Sequence, residues 1–302
     1  MESRAGLINI FAVFFSLLAY DLFLRSRAPF PRKPRWLYLA GAGAASGAAA
    51  AVKWIGAASL GVILLTYAWS WLRRRRGNGR HLPLPDGFPR RIGRIHPALV
   101  LTCCVVLPAA VYAATFIPHL RQNHDYSFVE LHKQMFGYHA HLQEGHHYAS
   151  RWWSWPLALR PVSYYWQVDE AEQQVSTILN LGNPILWWLS IPAVLVGVWF
   201  AVKKKSFPAQ FCVLAFALHY LPFAFIGRAT FSYHYMGALP FVFMLQGFIL
   251  EKLWRAGGWR RELAFFTLLA AFFSAVYFYP VWTALPIPLG AFYQRMWLVS
   301  WI

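Results

Sequence analysis

The sequence predicts an all-α polytopic membrane protein of about eight transmembrane helices with one large outer-face loop. Three observations predict it. Hydrophobic residues make up 58% of the 302 and charged residues only 13%. Apolar runs recur at close to the ~20 residues that a helix needs to cross a bilayer. Lys and Arg outnumber Asp and Glu by 28 to 11 and gather in short clusters between those runs. They form no single basic face or arm, so the net charge of +17 points to membrane orientation and excludes a nucleic-acid partner.

The expected spans lie at about 5–24, 36–52, 54–72, 96–117, 181–202, 207–226, 232–250 and 263–283. They divide the chain into four helices with basic cytoplasmic loops (1–117), an aromatic and His-rich outer loop (118–180) and four further helices (181–302). The second span is rich in Ala and Gly from Ala40 to Ala51, and such small residues let helix backbones approach closely, so it is expected to be buried among its neighbours. Cys103, Cys104 and Cys212 all fall inside apolar runs and read as small core residues, neither spaced for zinc nor placed to staple a loop.

Sidedness follows from the basic clusters. With the first helix running inward, the connections 25–35, 73–95, 203–206 and 251–262 hold 20 of the 28 Lys and Arg. Seven of the 11 acidic residues fall on the other side, Asp169, Glu170 and Glu172 among them. The expectation is a multi-pass plasma-membrane protein whose His/Trp loop faces away from the cytoplasm. No small-residue cleavage site follows a short apolar core, so no signal peptide is expected. The run Arg73–Arg76 and the GNGRHLPLP that follows it read as a solvated cytoplasmic loop.

The outer loop is too long for a mere connector. Within YSFVELHKQMFGYHAHL, Phe128, Leu131, Met135 and Tyr138 recur at helical spacing, as in an amphipathic helix lying in the interface. Seven of the 11 histidines fall between His119 and His147. None forms an i,i+4 pair with a nearby carboxylate on an obvious helix, and no Cys accompanies them, so hydrogen bonding beside a phosphate is favoured over a metal site. No cofactor is expected. Arg151, Arg160 and Arg228 stand close to membrane boundaries, where a guanidinium either snorkels or grips a phosphate with its planar fork of donors. Lys53, in the KWIG turn between two spans, faces the same side.

These residues resemble the protein O-mannosyltransferase family, lipid-linked-sugar enzymes of the GT-C membrane fold, and its bacterial branch most. HHYASRWWSWPLALRPVSYY is similar to the branch's His-Pro-Tyr-x-Ser-x-Trp-x-x-Trp-Pro followed by Arg-Pro. His146 takes the motif's His, Trp155 its second Trp and Arg160 its Arg, while His147 replaces the Pro. LGNP at Leu181–Pro184 and RATFSYHYMGALPF at Arg228–Phe241, which contains His234, look like later motifs. ESRAGLINIFAVFF resembles the family's Ser-Arg helix, with Asn9 where many members carry Asp, and AAVKWIG resembles its Lys-Trp turn.

The resemblance implies a polyprenyl phosphate mannose donor and a Ser/Thr-bearing translocating protein as acceptor. The reaction would take place at the outer face and invert the anomeric configuration. A carboxylate takes the acceptor's proton, and basic groups stabilise the departing phosphate. Arg4 by motif, with Lys53, His146, Arg151, Trp155, Arg160, Arg228 and His234, are the residues expected to bind that lipid phosphate and sugar. The family's catalytic Asp-Glu motif precedes the Ser-Arg helix and has no match here, so this chain is expected to lack the catalytic carboxylate and to correspond to the C-terminal part of such an enzyme. Two alternatives are another GT-C glycosyltransferase using a different lipid-linked sugar and a non-catalytic membrane subunit.

Overall fold

The structure is a computed structural model that describes residues 6–26, 28, 31–76, 92–123, 125–142 and 145–302. Arg4 and the whole GNGRHLPLP segment lie outside the described residues. Thirteen α-helices and a small sheet are present among the described residues. In order they are α1 (Asn9–Arg25), α2 (Arg35–Val52), α3 (Ala58–Arg76), α4 (Pro97–Leu101), α5 (Leu107–Ala114), α6 (Ile117–Gln122), α7 (Phe128–His141), β1 (Ser163–Asp169) and β2 (Gln174–Leu179). Then follow α8 (Pro184–Trp188), α9 (Ser190–Val202), α10 (Phe207–Tyr220), α11 (Leu239–Ala256), α12 (Gly258–Thr283), β3 (Ile287–Pro288) and α13 (Leu289–Arg295).

Among the described residues, five stretches are long and apolar enough to cross a membrane: Trp54–Arg75, Pro97–Gln122, Pro184–Val202, Phe207–Phe225 and Gly258–Thr283. Three of the eight expected spans also form helices but fall short of that standard. α1 has 17 residues, α2 is diluted by Ala and Gly, and α11 ends in a turn with Glu251, Lys252 and Arg255.

The chain forms two compact units. One consists of Ile8–Leu142 and Phe200–His219, the other chiefly of Gln143–Trp199 and Tyr220–Ile302. In the first, α2 is the hub. Its Leu39, Ala42, Gly43, Ala45, Ser46, Gly47, Ala49 and Ala50 are buried. A Cβ on Gly43 would overlap the Cys103 carbonyl, and one on Gly47 would collide with that of Pro108. The G-x-x-x-G spacing thus lets α2 lie backbone to backbone on the Pro97–Gln122 span. Pro108 lacks an N–H to donate to the carbonyl four residues back, and a π-helical turn at Thr102–Val106 stands just ahead of it.

α7 closes the same unit. Ser127 caps it by accepting from the Glu130 N–H at 3.2 Å. Phe128, Leu131 and Met135 are half-buried, as their spacing predicts. Tyr138 is instead 63% exposed, and His132 takes its place on the inner face.

The second unit contains an antiparallel sheet of order β1-β2-β3 that the all-α expectation did not include. SYYWQVD and QVSTIL are rich in β-branched and aromatic residues, and β2 buries Val175, Thr177 and Leu179 on one face. The turn between the strands is set by the Asp169 carboxylate, which accepts from the Ala171 and Glu172 N–H groups at 3.1 and 3.2 Å.

Candidate functional site

Within the second unit, the loop that contains the Trp-x-x-Trp-Pro motif is fastened at many points. The Ser150 N–H donates to the Thr230 carbonyl and the Thr230 hydroxyl to the Ser150 carbonyl, both at 2.8 Å. The Trp155 indole donates to the Ser150 hydroxyl at 3.0 Å, and the Tyr220 hydroxyl to the Trp152 carbonyl at 2.8 Å. Further along, Trp188 and Trp301 donate to the Leu157 and Ala158 carbonyls. An irregular loop with its backbone groups paired in this way can be buried without orphaned polar atoms.

Trp155 is 1% exposed and is the loop's anchor. Its ring stacks on His234 (centroids 5.8 Å apart, planes at 19°) and meets Phe223 edge-on at 5.1 Å. His234 is buried, and its Nδ1 lies within 3.0–3.1 Å of the Phe231 carbonyl and N–H, which fixes the 3-10 turn Ser232–Gly237. Trp155 and His234 therefore form the floor under the loop.

The cations divide into two kinds. Arg160 donates from Nε to the His147 carbonyl at 3.2 Å and from Nη1 to the Ser300 and Ile302 carbonyls at 3.1 and 3.4 Å. Its guanidinium also lies 5.6 Å from the Tyr148 ring centre. Arg151 and Arg228 form no ion pair or side-chain hydrogen bond among the described residues. Arg151 follows Ser150 and Arg228 stands just ahead of Thr230, so the two flank the Ser150–Thr230 crossing. His146 packs its ring edge-on against Phe231 at 5.2 Å and stacks on His147 at 4.5 Å. Arg151 and Arg228 thus adjoin one crossing along the chain, the His146 imidazole is exposed, and Trp153 and Phe225 of the same unit are 52% and 89% exposed. Rings so exposed beside cations suit the boundary between hydrocarbon and water.

Lys53 belongs to the other unit. Its Nζ donates to Asn9 Oδ1 at 2.9 Å. The Trp54 beside it donates from its indole to the Tyr112 hydroxyl at 2.9 Å, and Tyr112 is bonded to His132 Nε2 at 2.7 Å. His132 Nδ1 faces the Phe128 carbonyl at 2.7 Å, and a carbonyl can only accept, so Nδ1 holds the proton. In the neutral ring Nε2 then accepts from Tyr112, and the relay runs one way from Trp54 to Phe128. Sequence reasoning missed Tyr112 and His132 because neither stands in a recognised motif.

Family comparison agrees with the motifs. The model for the C-terminal four-transmembrane region of protein O-mannosyltransferase matches residues 125–301. The chain belongs to the protein O-mannosyltransferase family. The model for dolichyl-phosphate-mannose–protein mannosyltransferase matches residues 1–123 of this family member.

A polyprenol-phosphate-mannose–protein mannosyltransferase of Mycolicibacterium smegmatis is 24% identical across 100% of this chain and 69% of its own length. The protein of the same description from Mycobacterium tuberculosis is 27% identical over 55% of this chain and 35% of its own. The solved Saccharomyces cerevisiae protein O-mannosyltransferase Pmt1-Pmt2 complex bound to the sugar donor matches at 24% identity and a TM-score of 0.48. That match covers 59% of this chain and 27% of the yeast one.

Proposed function

We propose that this mannosyltransferase takes mannose from a polyprenyl phosphate mannose and attaches it to Ser or Thr of a protein at the extracytoplasmic face of the plasma membrane. In that reaction the acceptor oxygen bonds to the anomeric carbon as the bond from that carbon to the phosphate oxygen breaks. The lipid phosphate leaves with the electron pair, and a carboxylate takes the acceptor's proton. The residues assigned to this site act at the phosphate end of the reaction. Arg151 and Arg228 grip the departing phosphate, with His146 as a hydrogen-bonding neighbour. Trp155 and His234 form the rigid floor, and Arg160 positions the loop through its three carbonyls. Lys53 and Arg4 are assigned to lipid-phosphate binding on their motifs alone.

The observation that supports this most is that Arg151 and Arg228, which adjoin the Ser150–Thr230 crossing along the chain, have no ion pair or side-chain hydrogen bond among the described residues. An arginine with no internal acceptor is free to form a bidentate, charge-assisted pair with a phosphate. α1, α2 and α11 complete an eight-span arrangement with the five longer stretches. The 17 residues of α1 reach about 26 Å at ~1.5 Å per residue, near the thickness of the hydrocarbon core. The divisions 1–117, 118–180 and 181–302 remain our proposal for its layout.

The test is binding of polyprenyl phosphate mannose to the purified protein in detergent, with polyprenyl phosphate and a mannose-free neutral lipid as comparisons. Binding to both phosphates that Arg151→Gln and Arg228→Gln each weaken at least ten-fold supports the site. Undiminished binding in both variants would remove the two arginines from it.

A further inference from the structure

β1 is an edge strand. The order β1-β2-β3 leaves one side of Ser163–Asp169 with no strand beside it among the described residues. The pairing shows which of its main-chain groups face that side. The Gln173 and Thr177 carbonyls accept from the Leu289 and Ala284 N–H groups at 3.0 and 3.1 Å, so positions 173, 175 and 177 turn their main chain away from β1. Val175 and Thr177 stand opposite Val168 and Trp166. In an antiparallel ladder, opposed residues turn their N–H and C=O groups either toward each other or both away. Trp166 and Val168 therefore direct both groups to the open edge, while Tyr165, Gln167 and Asp169 direct theirs to β2. Neither Trp166 nor Val168 has a backbone hydrogen bond outside the sheet among the described residues.

The side chains agree with the main chain. Opposed residues share a face, so Trp166 and Val168 lie on the face of Thr177 and Val175. That face is covered over β2, where Val175 and Thr177 are each 1% exposed, whereas Trp166 and Val168 are 48% and 40% exposed. Trp166 meets the buried Phe292 edge-on at 4.9 Å, which holds its ring in place. The cover thus stops short of the edge. Native edges are commonly blunted by Lys, Pro or a bulge. Ser163–Asp169 contains neither Lys nor Pro, and its register shift, between Ser163 and Tyr165, leaves residues 165–169 in regular pairing.

The occupant follows from the chemistry of the edge. Donors and acceptors recur there every second residue, a repeat of about 6.7 Å. A lipid head group or a sugar has no such row, and an extended polypeptide has it along its whole length. The substrate proposed above is a polypeptide, and β1 starts three residues after Arg160, in the loop assigned to the donor phosphate. We propose that the open edge of β1 docks the acceptor protein as an added strand, which pairs with Trp166 and Val168 and covers their side chains. This rests on the reading of the protein as a protein mannosyltransferase. Main-chain pairing is indifferent to side chains, so the edge admits acceptors that share little beyond a Ser or Thr.

The experiment reads fluorescence anisotropy of a labelled, uncharged ten-residue peptide of Ser, Thr and Ala on the detergent-purified protein. A second peptide has the same side chains but esters in place of three consecutive central amides, which removes donors from both of its edges. The amide peptide is expected to bind at least ten-fold tighter than the ester peptide, a contrast that needs no variant. Val168→Pro removes an outward N–H and spares the β1–β2 ladder, the setting in which a strand tolerates proline. It should weaken the amide peptide at least five-fold while polyprenyl phosphate mannose binding stays within two-fold. Amide and ester peptides binding alike would overturn the docking edge. So would the absence of peptide binding by a protein that binds polyprenyl phosphate mannose, which would leave the donor site standing. Both peptide contrasts in a protein that fails to bind the donor would uphold the polypeptide dock and count against the donor site instead. A dimer in light scattering that Val168→Pro dissolves would give the edge to a second copy of this chain and overturn the proposal.

Discussion

Arg151 and Arg160 lie on one short loop and meet different fates. Arg160 spends its donors on three backbone carbonyls and thereby ties residues 300 and 302 to the loop. Arg151 has no side-chain hydrogen bond or ion pair among the described residues. Their substitutions should separate accordingly. Arg160→Ala removes three hydrogen bonds to exposed or part-buried carbonyls and should lower thermal stability by about 1 kcal/mol. Arg151→Gln should leave the melting temperature within a degree or so and weaken polyprenyl phosphate mannose binding by ten-fold or more. Thermal melts alongside binding measurements check both, and a cold-sensitive or unfolded Arg151→Gln would contradict the division of labour. Lys53 offers a third case, because its partner Asn9 is neutral. Hydrogen bonds to charged groups are stronger than neutral ones, so Asn9→Asp is expected to stabilise the protein by about 1 kcal/mol, read as a higher melting temperature.

At the scale of elements, close approach and anchoring decide more than propensity does. α2 is a poor hydrophobic span by composition but a good packing surface, because Gly43 and Gly47 admit the backbone of the Pro97–Gln122 span. Gly43→Ala is expected to destabilise by about 1–3 kcal/mol, since the atom it meets is backbone and cannot swing aside. A melting temperature equal to that of the unmodified protein would show that the helices part at no cost. α7 is held differently, through rings: His132 packs on Phe128 at 4.2 Å and on Phe116 at 4.9 Å while bonded to Tyr112. Tyr112→Phe keeps the rings and removes the hydroxyl at the centre of the relay. Amide exchange in 128–141 should rise several-fold in that variant while exchange in 163–179 stays unchanged.

For the molecule as a whole, the basic clusters lead to the expectation that the 203–206 turn and the β1–β2 hairpin face opposite sides of the membrane. Cys103, Cys104 and Cys212 are buried, so an introduced thiol can be read against a quiet background. In sealed cells, Ala171→Cys is expected to react with an impermeant maleimide, and Lys203→Cys only after the cells are opened. The reverse pattern would invert the orientation.

Much of this architecture was legible in advance. The apolar runs, the amphipathic stretch at 128–138 and the burial of the Ala/Gly helix follow from short-range periodicity, which sequence displays directly. The hairpin was equally visible in SYYWQVD and QVSTIL but was masked by the expectation of a loop between helices. The sequence by itself determined the membrane class, the basic asymmetry and the motifs that place the chain in its family, because each depends on residues close together in the chain. Only the tertiary structure decided which cations are committed to backbone carbonyls and which have no such partner among the described residues. The Arg160 carbonyls come from residues 147, 300 and 302, and the crossing beside Arg151 is made by Thr230. A partner so far along the chain leaves no local pattern, so whether a charge is spent or available becomes known only once the chain has folded.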